Sequence, residues 1–352
     1  MRRSIFHLLT VSFLGVLLIA CGKNENAPAS GSGKAAVDTN VNAEPIQISD
    51  TSHHLFFRPS AGTTERYHVI EQMNASFSDT PPSGQITKHS SANTTEYFLH
   101  LAVKAVNKDS SVAVTLRIDS IHLNAVQDTQ KINYSSNNPK DRASDQYRQF
   151  NLIVEKDFTV KTNKYGDLMD ITDASSIADA LMATLPDSLK KDPRIKPMAT
   201  RQADQMVAAY AMQVLAHSPA RALIKDTTWR NVADVNMPIS EGLSSPVTMT
   251  ATQTVRGLEK RGDKILAVLE DNTTATPKKL VNEEGPVKET FSNFVVNSHA
   301  VTRLDDATGL LYQLARSEKR AFTFIVEDKN HSGQKRTVSQ SGSQTVNVEL
   351  LQ

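Results

Sequence analysis

The chain has 352 residues, 39% of them hydrophobic, and its 39 Lys and Arg side chains almost balance its 38 Asp and Glu side chains. The formal net charge of +1 gives no broad positive field, so the composition argues against a nucleic-acid partner. Cys21 is the single cysteine, which excludes an internal disulfide, so the folded body must be stabilised by its hydrophobic core.

The N-terminus has the features of a secretory signal. Arg2 and Arg3 precede an apolar run over residues 5–20, which is short for a membrane-spanning helix. The run ends in Leu18-Ile19-Ala20-Cys21-Gly22. This segment resembles the lipobox of bacterial lipoproteins, whose cysteine receives a thioether-linked lipid before cleavage in front of it. The resemblance implies a signal peptide over residues 1–20 and lipidation of Cys21.

Residues 21–45 form the predicted lipidated cysteine and tether. Ala, Asn, Gly, Ser and Pro dominate this stretch, which is typical of a flexible coil with a reach of roughly 27 Å. The lipid on Cys21 makes the membrane the expected partner of this segment. Gly22 is not the aspartate associated with inner-membrane retention in many Gram-negative bacteria, so we expect a lipid-anchored protein of the cell envelope, at the outer membrane.

Residues 46–172 form the first predicted antiparallel β region. Apolar residues alternate from Tyr97 to Val103 and again from Val112 to Ile118, around a polar cluster at residues 107–111, which predicts a hairpin. The alternation changes phase after Ile118, which indicates a β-bulge near Ser120. The polar stretch 127–149 predicts a long exposed loop. Strands are expected to resume at residues 150–154.

Residues 173–220 form a predicted helical segment. Ile177, Leu181 and Leu185 repeat at helical spacing before Pro186, and a second helix is expected over residues 198–217. If these helices cover a curved sheet, four inward side chains could line an apolar groove. Ordinary close packing of the same side chains is the alternative. The four candidate groove residues are Leu181, Met206, Tyr210 and Val214.

Residues 221–352 form a second predicted antiparallel β region. A hairpin over residues 247–269 parallels the one over 97–118, and the path through Gly309 parallels the path through Gly166. Two related meanders, or chance similarity of hairpins, explain these parallels equally well. The predicted fold class is α+β, mainly antiparallel β-sheet, with the helical segment packed between or on the sheets. Both one large domain and two smaller domains are compatible with this pattern.

The lipobox, the tether, the two runs of hairpins and the segment Lys225-Asp226-Thr227-Thr228-Trp229 together carry a resemblance. The chain resembles an uncharacterised family of Gram-negative envelope lipoproteins, which carries no known activity. More distantly, a curved antiparallel sheet with helices on its concave face is similar to the periplasmic lipoprotein carriers. That similarity concerns architecture only.

Candidate chemistry is sparse in the sequence. No G-x-S-x-G, H-E-x-x-H or glycine-rich phosphate loop occurs, so no catalytic residue, metal ligand or cofactor site is predicted. Residues 305–309 favour a β-turn over a calcium loop, and Trp229 is expected to be a buried anchor. Three hypotheses follow: a non-enzymatic envelope lipoprotein that binds an apolar ligand or a partner protein, a structural subunit of an envelope complex, and an enzyme without a recognisable motif.

Overall fold

The computed structural model describes residues 44–46, 54–219, 223–240, 243–283, 287–330 and 334–351. The predicted signal peptide, Cys21 and most of the tether lie outside the described residues. Within the described ranges, no helix combines the length and the apolar character that a membrane span requires.

The described strands form one sheet of fourteen strands. Their bounds are β1 (Glu44–Ile46), β2 (Thr64–Thr80), β3 (Thr87–Val106), β4 (Val112–Gln127), β5 (Gln130–Ser135), β6 (Asp157–Thr162), β7 (Leu168–Asp173), β8 (Thr228–Ser240), β9 (Leu243–Arg261), β10 (Lys264–Pro277), β11 (Val281–Asn282), β12 (Val287–Asp305), β13 (Leu311–Asp328) and β14 (Lys335–Leu351). The helices are α1 (Pro139–Arg142), α2 (Arg148–Asn151), α3 (Ser175–Ala183), α4 (Asp187–Lys190), α5 (Ile195–Val214) and a 3₁₀ turn over Asp145–Tyr147.

All pairings between the named strands are antiparallel, in the order β1-β9-β10-β12-β13-β14-β2-β3-β4-β6-β7. Strand β8 shares one edge of β9 with β1, and β5 shares one edge of β4 with β6. The last strand, β14, pairs along its whole length with β2, as in Val348 opposite Val69. This pairing joins the two β regions into a single sheet. The prediction of a mainly antiparallel β fold is confirmed.

The predicted hairpin around residues 107–111 is confirmed as β3 and β4. Its turn is closed by the amide of Asn107, which donates to the carbonyl of Ser111 over 2.8 Å. Phe98 pairs with Ser120 and the next residue pairs with Ile118, so Asp119 is the extra residue of a bulge. The bulge lies beside the expected position and accounts for the change of phase.

The predicted loop over residues 127–149 and the strand over residues 150–154 are both wrong. Asp128 adopts a left-handed φ of 53°, so the chain reverses at once into β5, which places Tyr134 in the core. Asn138 then caps α1 by accepting from the amide of Lys140. Phe150 lies in α2, where its ring stacks on Tyr134 at 5.1 Å. A short polar strand and two one-turn helices leave little periodicity in a sequence.

The sheet is strongly curled, which backbone hydrogen bonds at one end establish. The amide of Phe57 donates to the carbonyl of Lys164, in the β6–β7 turn, and the amide of Arg58 donates to the carbonyl of Thr308, in the β12–β13 turn, both over 2.8 Å. These two turns are therefore within about 10 Å of each other. In a flat sheet, the five strand steps from β13 to β6 would separate them by about 24 Å. We call residues 55–58 the clasp segment and this end of the sheet the clasp end.

The main core lies inside the curl, beside the clasp segment. Leu55 and Phe57 of that segment are buried in it together with residues from β2, β3, β4, β6, β10, β12 and β14. The helices cover this part of the inner face. Helix α5 contributes Ala203, Val207 and Ala211, spaced by four residues along one face, and the small alanine side chains let the helix approach the sheet closely. The helices thus pack on one sheet and not between two.

Candidate functional site

The inner face is the side of the sheet that carries the main core. Its residues can be identified from the register, because residues directly opposite each other in antiparallel strands point to the same side. One such row crosses nine strands near the middle of the sheet. We call it the central row, and in strand order from β8 to β4 it consists of Trp229, Gln253, Asp271, Ala300, Arg316, Val346, Glu71, Thr95 and Leu123.

Three charged side chains alternate with small apolar ones along this row. Asp271 and Arg316 are separated by Ala300, and Arg316 and Glu71 are separated by Val346. Two strand steps correspond to about 10 Å between backbones. The row therefore presents negative, positive and negative charge in turn across the inner face. It lies between the helix-covered core and the end of the sheet opposite the clasp end, which we call the far end.

Glu71 lies where the row meets the core. Burial raises the pKa of its carboxyl, although the side-chain amide of Gln344, which donates to Glu71, and the charge of Arg316 oppose this effect. Tyr97 lies one layer nearer the clasp end and is 1% exposed. Its ring contacts Tyr210 of α5 edge-on at 5.4 Å. Among the residues that the structure describes, its hydroxyl has no hydrogen-bond partner.

Asp271 is the second perturbed carboxylate of the row. Burial raises its pKa to about 6, against opposing contributions from a hydrogen bond with Gln253 and from the positive potential of His217 and His299. His217 follows the end of α5 and hydrogen-bonds through Nδ1 to Oδ1 of Asp167 at 2.5 Å. The carboxyl of Asp271 therefore changes charge in a mildly acidic range, beside the point where the helical segment leaves the sheet.

The far end of the inner face carries apolar side chains from strands alone. Two clusters form there, sharing Phe294, and within the described residues neither includes a helix residue. Several members, among them Phe77, Phe294 and Met249, are only partly buried and so leave apolar surface accessible. The other members are Phe291, Phe322, Phe324, Val326 and Val338 in the first cluster and Val235, Met237, Val247, Ala275 and Val296 in the second.

The four residues predicted to line an apolar groove all contact the main core. Val214 is 1% exposed, and Leu181, Met206 and Tyr210 are partly buried against the same cluster. The helices therefore point these side chains inward, as expected. Their side chains take part in core packing, and a ligand groove between them stays a prediction.

The other residues singled out in the sequence lie away from the central row or, like Trp229, at its end. Cys21 lies outside the described residues. Trp229 is 8% exposed and belongs to the main core, so its expected role as a buried anchor is confirmed. Asp305 accepts hydrogen bonds from the amides of Ala307 and Thr308, and Gly309 has a φ of 71°, which confirms the predicted turn. In the described ranges, no group of three or more His, Cys, Asp or Glu side chains could hold a metal ion.

Sequence reasoning missed the central row. Glu71, Asp271 and Arg316 come from strands that are far apart in the chain, and only the register brings them together. One sequence signal was available at Glu71, which occupies the inward phase of a strand whose preceding inward residues, Tyr67 and Val69, are apolar.

A separate cavity of about 610 Å³ lies at the far end. Most of its lining residues, such as Ser78, Thr323 and Ser339, alternate with inner-face residues and so belong to the outer face. Its hydroxyl groups bond to one another, with Thr323 Oγ1 and Ser339 Oγ at 3.0 Å. None of the four predicted groove residues lines it.

Comparison with known proteins returns a family and a set of remote structures. A family model described as "Family of unknown function (DUF6263)" matches residues 109–310. No curated protein matches the sequence.

Among solved structures, a lipovitellin studied for lipid–protein interactions matches with 13% identity over 83% of this chain and a TM-score of 0.36. This chain spans 25% of the length of that lipovitellin chain. OccK5 of Pseudomonas aeruginosa matches with 4% identity, 82% of this chain, 99% of its own and a TM-score of 0.23. OpdQ of the same organism matches with 7% identity, 81% of this chain, 98% of its own and a TM-score of 0.19.

Proposed function

The chain belongs to this family of unknown function, and we propose that it is a non-enzymatic, lipid-anchored envelope protein that binds an apolar ligand on the inner face of its curled sheet. The proposal combines two parts. The anchor is argued from the signal-like N-terminus and the lipobox at Cys21. The binding activity is argued from the apolar surface at the far end of the inner face.

One observation supports binding above the others. The helices pack over the core near the clasp end, whereas the two far-end clusters consist of strand residues with partly exposed phenylalanine and methionine side chains. Apolar surface on a concave face, next to a few polar side chains, is the usual composition of a small-molecule site. The main core, by contrast, is filled by its own side chains.

Native mass spectrometry of the full-length protein, released from its own envelope in mild detergent, tests this proposal. We expect the protein to carry a noncovalent apolar adduct that ion activation removes. A mass equal to that of the protein alone, in every preparation and with added fatty alcohols as well, would argue against ligand binding.

A structural role in an envelope complex is the second candidate, and a specific feature favours it. Within the described residues, β8 pairs only with β9, so its other edge presents backbone groups for a strand of another protein. Val232 on this strand is 51% exposed. Crosslinking in intact cells at Val232 distinguishes the candidates, since a protein adduct there favours the structural role.

A further inference from the structure

We propose that Arg316 is the anion-binding residue of the inner face and that the ligand is an anionic amphiphile, a molecule with a carboxylate or phosphate head and an apolar tail. This inference rests on the proposed function and names the ligand class of the same site. Three observations support it: Arg316 has no bonded partner among the described residues, Glu71 and Tyr97 lie near it, and the inner face becomes apolar from Arg316 towards the far end.

Among the described residues, Arg316 differs from the other arginines of the sheet in having no hydrogen-bond or ion-pair partner. Arg256 pairs with Glu270, Arg303 with Glu259, and Arg336 with Asp79. On the inner face, Arg320 pairs with Glu318. Within the described part of the chain, neither a carboxylate nor any hydrogen-bond acceptor lies within bonding distance of the Arg316 guanidinium. A partly buried guanidinium is costly without an acceptor, and carboxylate and phosphate are the acceptors that fit its planar donor set.

Glu71 does not neutralise Arg316 in the way a bonded counter-ion would. It lies two strands away across Val346 and is already hydrogen-bonded by Gln344. Burial raises the pKa of the Glu71 carboxyl, so less negative charge opposes a bound anion there than an exposed carboxylate would present. Tyr97 is buried near Glu71 and Arg316, and among the described residues its hydroxyl has no hydrogen-bond partner, so it can donate to a bound anion.

The tail would extend towards the far end. Along β13, inner-face residues run from Arg316 through the neutralised pair Glu318 and Arg320 to Phe322. On the neighbouring strand β12, the inner-face positions run through Val296 to Phe294. The step from Arg316 to Phe322 is six residues, about 20 Å along the strand. An anionic head at Arg316 therefore brings an acyl chain within reach of the far-end clusters.

The test uses full-length protein held in an amphipathic polymer and three probes with the same twelve-carbon tail: dodecanoate, dodecyl phosphate and dodecanol. Native mass spectrometry measures the dissociation constant of each. We expect both anionic probes to bind more tightly than dodecanol, and Arg316→Gln to weaken only the anionic probes, by about tenfold to a hundredfold, as the loss of charge-assisted hydrogen bonds requires. Arg230→Gln, at an exposed arginine of β8, should leave all three affinities unchanged.

The outcomes separate this inference from the proposed function. Equal affinity for all three head groups, unaltered by Arg316→Gln, would overturn the anionic assignment and leave apolar binding intact. Failure of every probe to bind would overturn both. If Arg316→Gln does not fold, the head-group series on the unaltered protein and on Arg316→Lys, which keeps the charge, still decides. A preference for dodecyl phosphate over dodecanoate would identify a phospholipid-like source, and the reverse would identify a fatty acid.

Discussion

Gly166 lies directly against the backbone of Ala216, so that a Cβ at Gly166 would be 2.5 Å from the Ala216 carbonyl oxygen. Gly166 belongs to the β6–β7 turn and Ala216 to the segment that follows α5. Next to this contact, the amide of Ser218 donates to the carbonyl of Tyr165 over 2.7 Å. The helical segment is thus fixed to the turn that also binds the clasp segment.

This contact makes Gly166→Ala a test of how closely the β6–β7 turn approaches Ala216. Gly166 has a φ of 85° and Gly62 has a φ of 87°, but a Cβ at Gly62 would meet nothing within 4 Å. We expect Gly62→Ala to cost about 1 kcal/mol, from backbone strain alone, and Gly166→Ala to cost about 2 kcal/mol more because of the steric overlap. Chemical denaturation of the two variants measures the difference, and equal losses would contradict the close approach.

Asp271 should make stability depend on pH. Its folded-state pKa of about 6 exceeds its ordinary value of 3.8, so the folded protein binds more protons than the unfolded chain between these values, and this carboxyl lowers stability as pH rises through them. We expect Asp271→Asn to be more stable than the unaltered protein by about 1–3 kcal/mol near pH 7.5. Near pH 3 the two should be equal.

Urea unfolding across this pH range provides the measurement, with Asp263→Asn as the matched control, because Asp263 is exposed in the β9–β10 turn. The control should follow the unaltered protein at every pH. A stability difference for Asp271→Asn that does not vary with pH would show that this carboxyl is not the titrating group.

Lipidation at Cys21 is tested in cells. Metabolic labelling with a fatty-acid analogue should mark the unaltered protein, and Cys21→Ser should lose the label and leave the membrane fraction. Continued labelling of the Cys21→Ser protein would exclude Cys21 as the modified residue.

Folding should require no metal ion. The sequence predicts no metal ligand set, so we expect the thermal unfolding temperature of the full-length protein to be the same with and without a strong chelator, as followed by circular dichroism. A decrease of several degrees on chelation would reveal a bound metal that contributes to stability.

The fold was predictable where side-chain alternation is strong. The β3–β4 hairpin and its bulge at Asp119 follow from the phases of Ile118 and Ile121, and α5 follows from its four-residue apolar spacing. Strand β5 was not predictable, because its six residues carry only Ile132 and Tyr134 as apolar members. The register between distant strands, which alone assembles Glu71 with Arg316, leaves no local pattern in the sequence.

The central claim is that a ligand lies on the inner face between Arg316 and the far-end apolar clusters. Photocrosslinking of the full-length protein with a twelve-carbon fatty acid that carries a diazirine near its tail end, followed by peptide mapping, tests it directly. We expect labels on far-end inner residues of β12 and β13, such as Phe294 and Phe322, and competition by unlabelled dodecanoate. Labels confined to α3 and α5, or scattered over exposed surface without competition, would contradict the account.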